Sequence, residues 1–454
     1  MTKSLDSFPA AAIILAAGLG TRMKSHLPKV LHPLAGKPMI KTLLDSVAAA
    51  GIGQTVVVVN DDVVASVVAP YPTVRQPKQF GTGHAVMQAK DALRDFDGDV
   101  FVLFGADPLI TPETLAAMHA RRRADDEPAI VVLGFRPEDP ALYGRLVSDS
   151  EGMLEAIVEA RDATPEQLAI GLCNSGVMCI DGTRLFDLLA RVGDDNVKGE
   201  HYLTDIVALA RTDGLCCAVI EGDAEELIGV DDRADLARAE AIMQKRLRAK
   251  AMAKGATLLD PDTVYFSHDT NLGQDVTVGQ NVVFGTGVTV GDHVTIRPFC
   301  HIEGAEIAKD AIIGPFARLR PGTSVAENVR VGNFVEVKNA MLETGAKVNH
   351  LTYVGDAHVG AGANVGAGTI TCNYDGFDKH FTNIGAGAFI GSNTALVAPV
   401  EIGDGAIVGA GSTIAKDVAV DALAVTRAPQ RERAAWAAKF RDAKKAEKTK
   451  RNKG

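Results

Sequence analysis

Two hydrophobic periods divide the chain. From residue 10 to about 230, short apolar runs alternate with stretches of helical spacing. "AAIILAA", "TVVVVN", "DVFVLFG" and "AIVVLGF" are continuous apolar runs, and "KPMIKTLLDSVAAAG" carries a helical stripe between two of them. Continuous runs of this length read as strands buried on both faces. Strands alternating with helices predict a Rossmann-like α/β domain, an open and mostly parallel sheet covered on both faces. In such sheets ligands sit beyond the carboxyl ends of the strands. That makes the exit "FGADPLI", with Asp107 just past its strand, a candidate site position.

Residues 231–253 are rich in Ala, Leu, Arg and Glu and lack Gly and Pro, which predicts one long helix linking two halves. Beyond it apolar residues recur every sixth position. Ile307, Ile313, Leu319, Val325, Val331 and Val337 form one series; Ile384, Ile390, Leu396, Ile402, Val408 and Ile414 form another. That period is the mark of a hexapeptide β-helix, here a left-handed parallel one, each apolar side chain entering a three-sided prism. "TITCNYDGFDKHF" interrupts it. Thr369 is expected outside the core, and Thr371 to Phe381, including Asn373 and Tyr374, are expected to loop outward. The predicted domains are 1–230, the linker helix 231–253, the β-helix 254–428 and a basic tail 429–454 read as a solvated helix.

Composition narrows the class. Aromatic content is 5% while Gly numbers 45, which suits tight turns over bulky cores. A net charge of −10 argues against nucleic acid as a general partner. The six cysteines show no paired spacing, so reduced thiols in a cytoplasmic protein are expected. The apolar stretch at the start is too short for a membrane span.

Chemistry gathers in two places. "LAAGLGTRM" is a Gly-rich turn after a strand, with Arg22 and Lys29 close behind. Backbone N–H groups and two cations suit a triphosphate; a plain turn with solvated cations is the other reading. In the β-helix, His350 is a candidate general base. Arg320 and Lys338 stand eighteen residues apart, one coil of three strands, so they share a face. Stacked cations there suit an anion such as a sugar phosphate; a salt-bridge ladder with Glu336 or Asp356 is the alternative.

The run L-A-A-G-x-G-T-R-M followed by P-K resembles the signature of sugar-1-phosphate nucleotidyltransferases. From Ala11 to Arg427, through "QFGTGHA", "YGR", "CNSGV", "GPFARLRPG", "VGNFVEVKN", "HLTYVGDA", "GAGTITCNYDG" and "VTRAPQ", the chain resembles one bifunctional family. Its members are the N-acetylglucosamine-1-phosphate uridyltransferases / glucosamine-1-phosphate N-acetyltransferases of bacterial cell-wall synthesis. The resemblance implies acetyl transfer from acetyl-CoA, then uridylyl transfer from UTP, giving UDP-N-acetylglucosamine. It implies nucleotide contacts at Leu15, Ala16, Ala17, Gly18, Lys29 and Asp231, and base contacts at Gln76, Gly81 and Thr82. The sugar falls to Gly144, Glu159 and Asn174, and charge stabilisation to Arg22 and Lys29. In the second half His350 takes the proton, Arg320 and Lys338 hold the phosphate, and Tyr353 and Asn364 hold the sugar. Ala367, Asn373, Tyr374, Ser392, Ala410 and Arg427 lie along acetyl-CoA. A homotrimer and small-molecule substrates follow too.

The family also uses Mg²⁺, held by an Asp after "Y-G" and an Asn in "G-V-N". This chain departs at both positions. Ala106 occupies the first, with the carboxylate one residue later at Asp107, and Asp231 occupies the second. Asp107 with Asp231 assisting is the expected pair. Three alternatives follow: an acetyltransferase with an impaired first domain, a nucleotidyltransferase with a purely oligomerising β-helix, and a non-catalytic regulatory subunit.

Overall fold

A computed structural model describes residues 8–140, 143–196 and 199–452. These form two compact units. The first runs to Ala253 and includes Tyr265–Asp269; the second holds Lys254–Val264 and everything from Thr270 onward.

The first unit is built on a sheet in the order Cys217–Glu221, Ile130–Phe135, Cys173–Asp181, Asp99–Phe104, Ala10–Leu15, Gln54–Val59, Thr73–Arg75. Cys173–Asp181 runs antiparallel to both neighbours; the other pairs along this path are parallel. Alternation within a wholly apolar strand sorts its side chains to the two faces. Ala10, Ala12 and Ile14 enter one core, Ala11 and Ile13 the other. Helices Met39–Ala49 and Pro112–Arg122 cover the first of these faces, and Gly182–Leu189 and Asp205–Thr212 the second. The register sets Leu15 beside Phe104, so the Gly-rich turn and the segment holding Asp107 leave the sheet at the same edge. The helix Arg233–Ala253 is built into this unit. Ala239 packs with Leu34, Met39, Leu109 and Val230, and buried Gln244 exchanges two hydrogen bonds with the backbone of Phe266.

The second unit is a left-handed β-helix of short parallel strands, each pairing with the strand one coil on. Val283–Phe284 pairs with His301–Ile302, which pairs with Arg318–Leu319, which pairs with Glu336 and Val337. The apolar residues of both six-residue series are buried. Each coil contacts its neighbours alone, so stability is a sum of local terms.

The interruption differs from expectation. Thr369 and Thr371 are buried rather than excluded. Thr369 Oγ1 donates to the Gly366 carbonyl at 2.7 Å; Thr371 Oγ1 accepts from the Gly355 N–H at 2.8 Å. Hydroxyls satisfied by coil backbone can replace an apolar residue inside the prism. Asn373 is buried too, so the exposed loop begins at Tyr374. The tail is helical from Trp436 to Arg451 and exposed; residues 453–454 lie outside the described residues. No described helix is long and apolar enough to cross a membrane, and all six cysteines are free thiols.

Candidate active sites

At the sheet edge of the first unit, Gly20 takes φ 60° where a Cβ would lie 2.6 Å from Lys29 Cβ. A glycine is therefore required for the two stretches of the signature to pack together. Lys29 Nζ reaches Asp231 Oδ1 at 2.9 Å, and Arg22 Nη2 reaches Asp231 Oδ2 at 2.9 Å. The Val230 N–H donates to the Ala106 carbonyl at 2.9 Å, which draws Asp231 towards the exit of the Asp99–Phe104 strand. Gly229 lets that approach happen, since a Cβ there would lie 3.3 Å from Asp107 Oδ1.

Asp107 itself is buried. Burial pushes its pKa up to about 7; Lys29 opposes the shift and Asp231 adds to it. A buried carboxylate beside a second carboxylate is costly unless a cation balances it. Arg22, Lys29, Asp107 and Asp231 are thus brought together. Ala16 and Ala17 are buried at the loop's start, and Gln79 Nε2 donates to the Ala17 carbonyl at 3.3 Å. Leu15 ends its strand, its carbonyl accepting from the Gly105 N–H at 2.9 Å, and Gly18 is exposed.

Around the rim, Gln76 is buried and Thr82 Oγ1 accepts from the Leu203 N–H at 3.0 Å. Gly81 takes φ 104° against the His201 backbone. A cavity of about 230 Å³ holds Thr82, Glu159 and Asn174, together with Phe104, Gly176 and Tyr202. Gly144 stands next to it, its carbonyl accepting from the Asn174 N–H at 2.8 Å. Phe104 and Tyr202 are absent from the sequence reading, because one looked like the last core residue of a strand and the other lies far along the chain.

In the second unit the His350 ring has Nδ1 2.8 Å from Asn333 Oδ1. Register continues Arg318–Leu319 against Glu336–Val337, which stacks Arg320 on Lys338. Both cations have partners. Arg320 Nη1 lies 2.8 Å from Glu336 Oε1, and Lys338 Nζ lies 3.7 Å from Asp356 Oδ2. Asp356 also receives the amides of Asn339 (2.6 Å) and Asn373. Burial would raise its pKa, but these hydrogen bonds and the charges of Lys338 and Lys379 outweigh that and lower it. Lys379 comes from the exposed loop to stand beside Lys338, which depresses its own pKa. Two ammonium groups held together make a place for an anion. Neither Lys379 nor Asn333 was singled out from sequence. The coil repeat carried a signal for Asn333, which pairs with His350 one coil later.

Asn373 Nδ2 lies 3.5 Å from the Tyr353 hydroxyl, so it belongs to the wall beside Tyr353 rather than to an outward loop. Tyr374 is exposed on that loop. Asn364 lies opposite Lys347 on the coil before. Ala367, Ser392 and Ala410 occupy successive coils. The Asn393 N–H donates to the Ala367 carbonyl at 2.7 Å and the Gly411 N–H to the Ser392 carbonyl at 2.8 Å, while Arg427 donates to the Ala410 carbonyl. This column is a run of backbone and small side chains along successive coils.

Comparison with known proteins agrees with both halves. Residues 12–170 match the MobA-like NTP transferase domain, and residues 269–304 and 381–416 match the bacterial transferase hexapeptide. The bifunctional protein GlmU of Paramagnetospirillum magneticum is 62% identical over 99% of this chain and 100% of the relative. GlmU of Rhodospirillum rubrum is 65% identical over 95% of this chain and 97% of its own, and that of Zymomonas mobilis 51% over 96% and 98%. With such identity across almost the whole length, and a transferase match in each half, the chain belongs to the bifunctional GlmU family.

Proposed function

We propose a division of labour for the two activities of this bifunctional transferase. Acetyl transfer from acetyl-CoA to glucosamine-1-phosphate belongs to the second unit, and uridylyl transfer from UTP to N-acetylglucosamine-1-phosphate to the first. The observation that carries the reading is that each unit holds its own charged constellation at its own site.

In the second unit His350 takes the proton from the attacking amine at Nε2, since Nδ1 is engaged with Asn333. Arg320, Lys338 and Lys379 receive the phosphate, which relieves the repulsion between the two lysines. Tyr353 and Asn364 orient the sugar. Ala367, Asn373, Tyr374, Ser392, Ala410 and Arg427 hold acetyl-CoA.

In the first unit Leu15, Ala16, Ala17 and Gly18 present backbone to the nucleotide, and Gln76, Gly81 and Thr82 frame the base. Gly144, Glu159 and Asn174 hold the sugar. Arg22 and Lys29 exchange Asp231 for phosphate oxygens and stabilise the charge that develops as pyrophosphate departs. Mg²⁺ fits this site. Asp107 is buried and lies near the second carboxylate of Asp231, and two carboxylates with phosphate and water oxygens suit this ion. Asp107 and Asp231 would hold the ion, and it would supply positive charge against the phosphate oxygens. Among the described residues no group of three or more His, Cys, Asp or Glu side chains is placed to hold a metal ion.

A homotrimer completes the proposal. Phe299, Phe316 and Phe334 stack on successive coils with ring centroids 4.8 and 5.1 Å apart, and all are about half exposed. An apolar ladder of this kind suits a second copy of the chain. Sedimentation of a Phe316→Glu, Phe334→Glu double variant should give a smaller species; an unchanged mass removes this face from the interface. The division of labour is tested by His350→Ala, which should lower acetyl transfer about 100-fold or more while uridylyl transfer persists. Lys29→Ala should do the reverse. Loss of both activities in either folded variant overturns it.

A further inference from the structure

Gln76 is 4% exposed, and its amide nitrogen faces two groups. Nε2 lies 3.1 Å from the Gly81 carbonyl and 3.0 Å from His84 Nδ1. A carbonyl only accepts, so Gly81 settles which end of the amide points towards it. The same nitrogen therefore donates to His84 Nδ1, which must be a bare lone pair. A second amide, Gln88 Nε2, donates to the His84 carbonyl at 3.0 Å and stands 3.3 Å from His84 Nε2. A neutral imidazole has one bare nitrogen. The shorter contact, 3.0 against 3.3 Å, assigns it to Nδ1; Nε2 then carries the hydrogen and makes no hydrogen bond with Gln88 Nε2. Burial, and then the charge of His201, hold the His84 pKa below its ordinary value, which favours the neutral ring. With the NH₂ group committed, Gln76 Oε1 has no donor among the described residues. It is the end of the amide left for a ligand.

We propose that His84 is a positioning residue for nucleobase recognition: by accepting from Gln76 Nε2 it locks the amide so that Oε1 meets the base. The inference rests on the reading that Gln76 holds the base. An oxygen at that point accepts from a ring N–H, which uracil supplies at N3. Cytosine has a bare N3 and would put lone pair against lone pair. An amide free to turn over would offer NH₂ to cytosine and oxygen to uracil, and so would discriminate poorly.

The test compares UTP with CTP in the uridylyl reaction of the full chain. His84→Leu should lower the UTP/CTP ratio of kcat/KM about tenfold, through a higher KM for UTP and a lower one for CTP. His84→Ala, carried alongside in case leucine is not accommodated, should do the same. His84→Asn should keep the wild-type ratio, because Asn Oδ1 takes the place of Nδ1. A wild-type ratio in His84→Leu and His84→Ala overturns the proposal, and so does equal loss in His84→Asn, which would mark a packing role. Gln76→Ala separates the two layers. If it leaves the KM for UTP unchanged, the base-site reading itself fails; if it raises that KM while His84→Leu keeps the ratio, only the positioning role fails. Circular dichroism and thermal melting of each variant report on folding throughout.

Discussion

Asn333 stands one coil before His350 and places its side-chain oxygen 2.8 Å from the His350 Nδ1. An amide oxygen accepts, so Nδ1 carries the proton and Nε2 is bare, the tautomer that a base acting at Nε2 requires. Asn333→Ala should therefore lower kcat for acetyl transfer about ten- to a hundredfold, with the KM values for both substrates and the uridylyl reaction unchanged. Steady-state kinetics of the two half-reactions decide this. A raised KM at constant kcat would make Asn333 a binding residue instead.

Asp107 and Asp231 share one corner, but they are not equivalent. Asp231 already has two cationic partners, whereas Asp107 is buried with Lys29 as its main relief. Asp107→Ala should abolish the Mg²⁺ dependence of uridylyl transfer along with most of the rate, and Asp231→Ala should raise the Mg²⁺ concentration needed. Titrations of activity against Mg²⁺ check both. The opposite pattern, an indifferent Asp107 and an essential Asp231, would hand the metal to Asp231.

Gly176 takes φ 88° in the wall of the 230 Å³ cavity, where a Cβ would lie 2.6 Å from Phe104 Cε2. The added methyl of Gly176→Ala meets both a backbone penalty and a ring. Uridylyl transfer should fall, with KM for N-acetylglucosamine-1-phosphate rising more than KM for UTP. Equal changes in both would mean that the cavity does not hold the sugar.

His358 joins Glu343 (3.0 Å) and Asn383 (2.7 Å) on the β-helix surface. Burial lowers its pKa, but the bonds to Asn383 and Glu343 and the charge of Glu343 outweigh that and raise it. A raised histidine contributes stability that is full below its unfolded pKa of 6.5 and is lost as pH rises through the folded value. Glu343 is lowered by the His358 hydrogen bond, so its share is lost as pH falls through the folded value, below 4.5. His358→Gln should destabilise most between those limits, by no more than about 1 kcal/mol given the exposure of the pair, and least above pH 8. Thermal melts at pH 5.5 and 8.5 measure it; a pH-independent difference would locate the effect in packing.

Much of the fold is legible in the sequence alone. An uninterrupted apolar run such as Phe101–Phe104, closed by Gly105, reads as a doubly covered strand, and an apolar residue every sixth position marks neither a helix nor a simple alternation. These are local patterns, and a β-helix is made of little else, since each coil answers only to its neighbours. Even the stacking of Arg320 on Lys338 follows from counting. The burial of Thr369 and Thr371 did not, because it depends on which coil carbonyls stand ready to satisfy a hydroxyl.

The constellations at the sheet edge belong to tertiary structure. Lys29 and Asp231 are 202 residues apart, and nothing local in "GVDDR" says that its first carboxylate will close on two cations. That Asp107 is desolvated while Asp231 is neutralised follows from what packs around each, and it sets their different chemistry. The same holds for Gln76. Residue type alone permits either end of an amide to face a base, and only the placing of Gly81 and His84 around Nε2 chooses one. Periodicity is written into neighbouring residues, whereas hydrogen-bond direction and charge environment arise where distant segments meet.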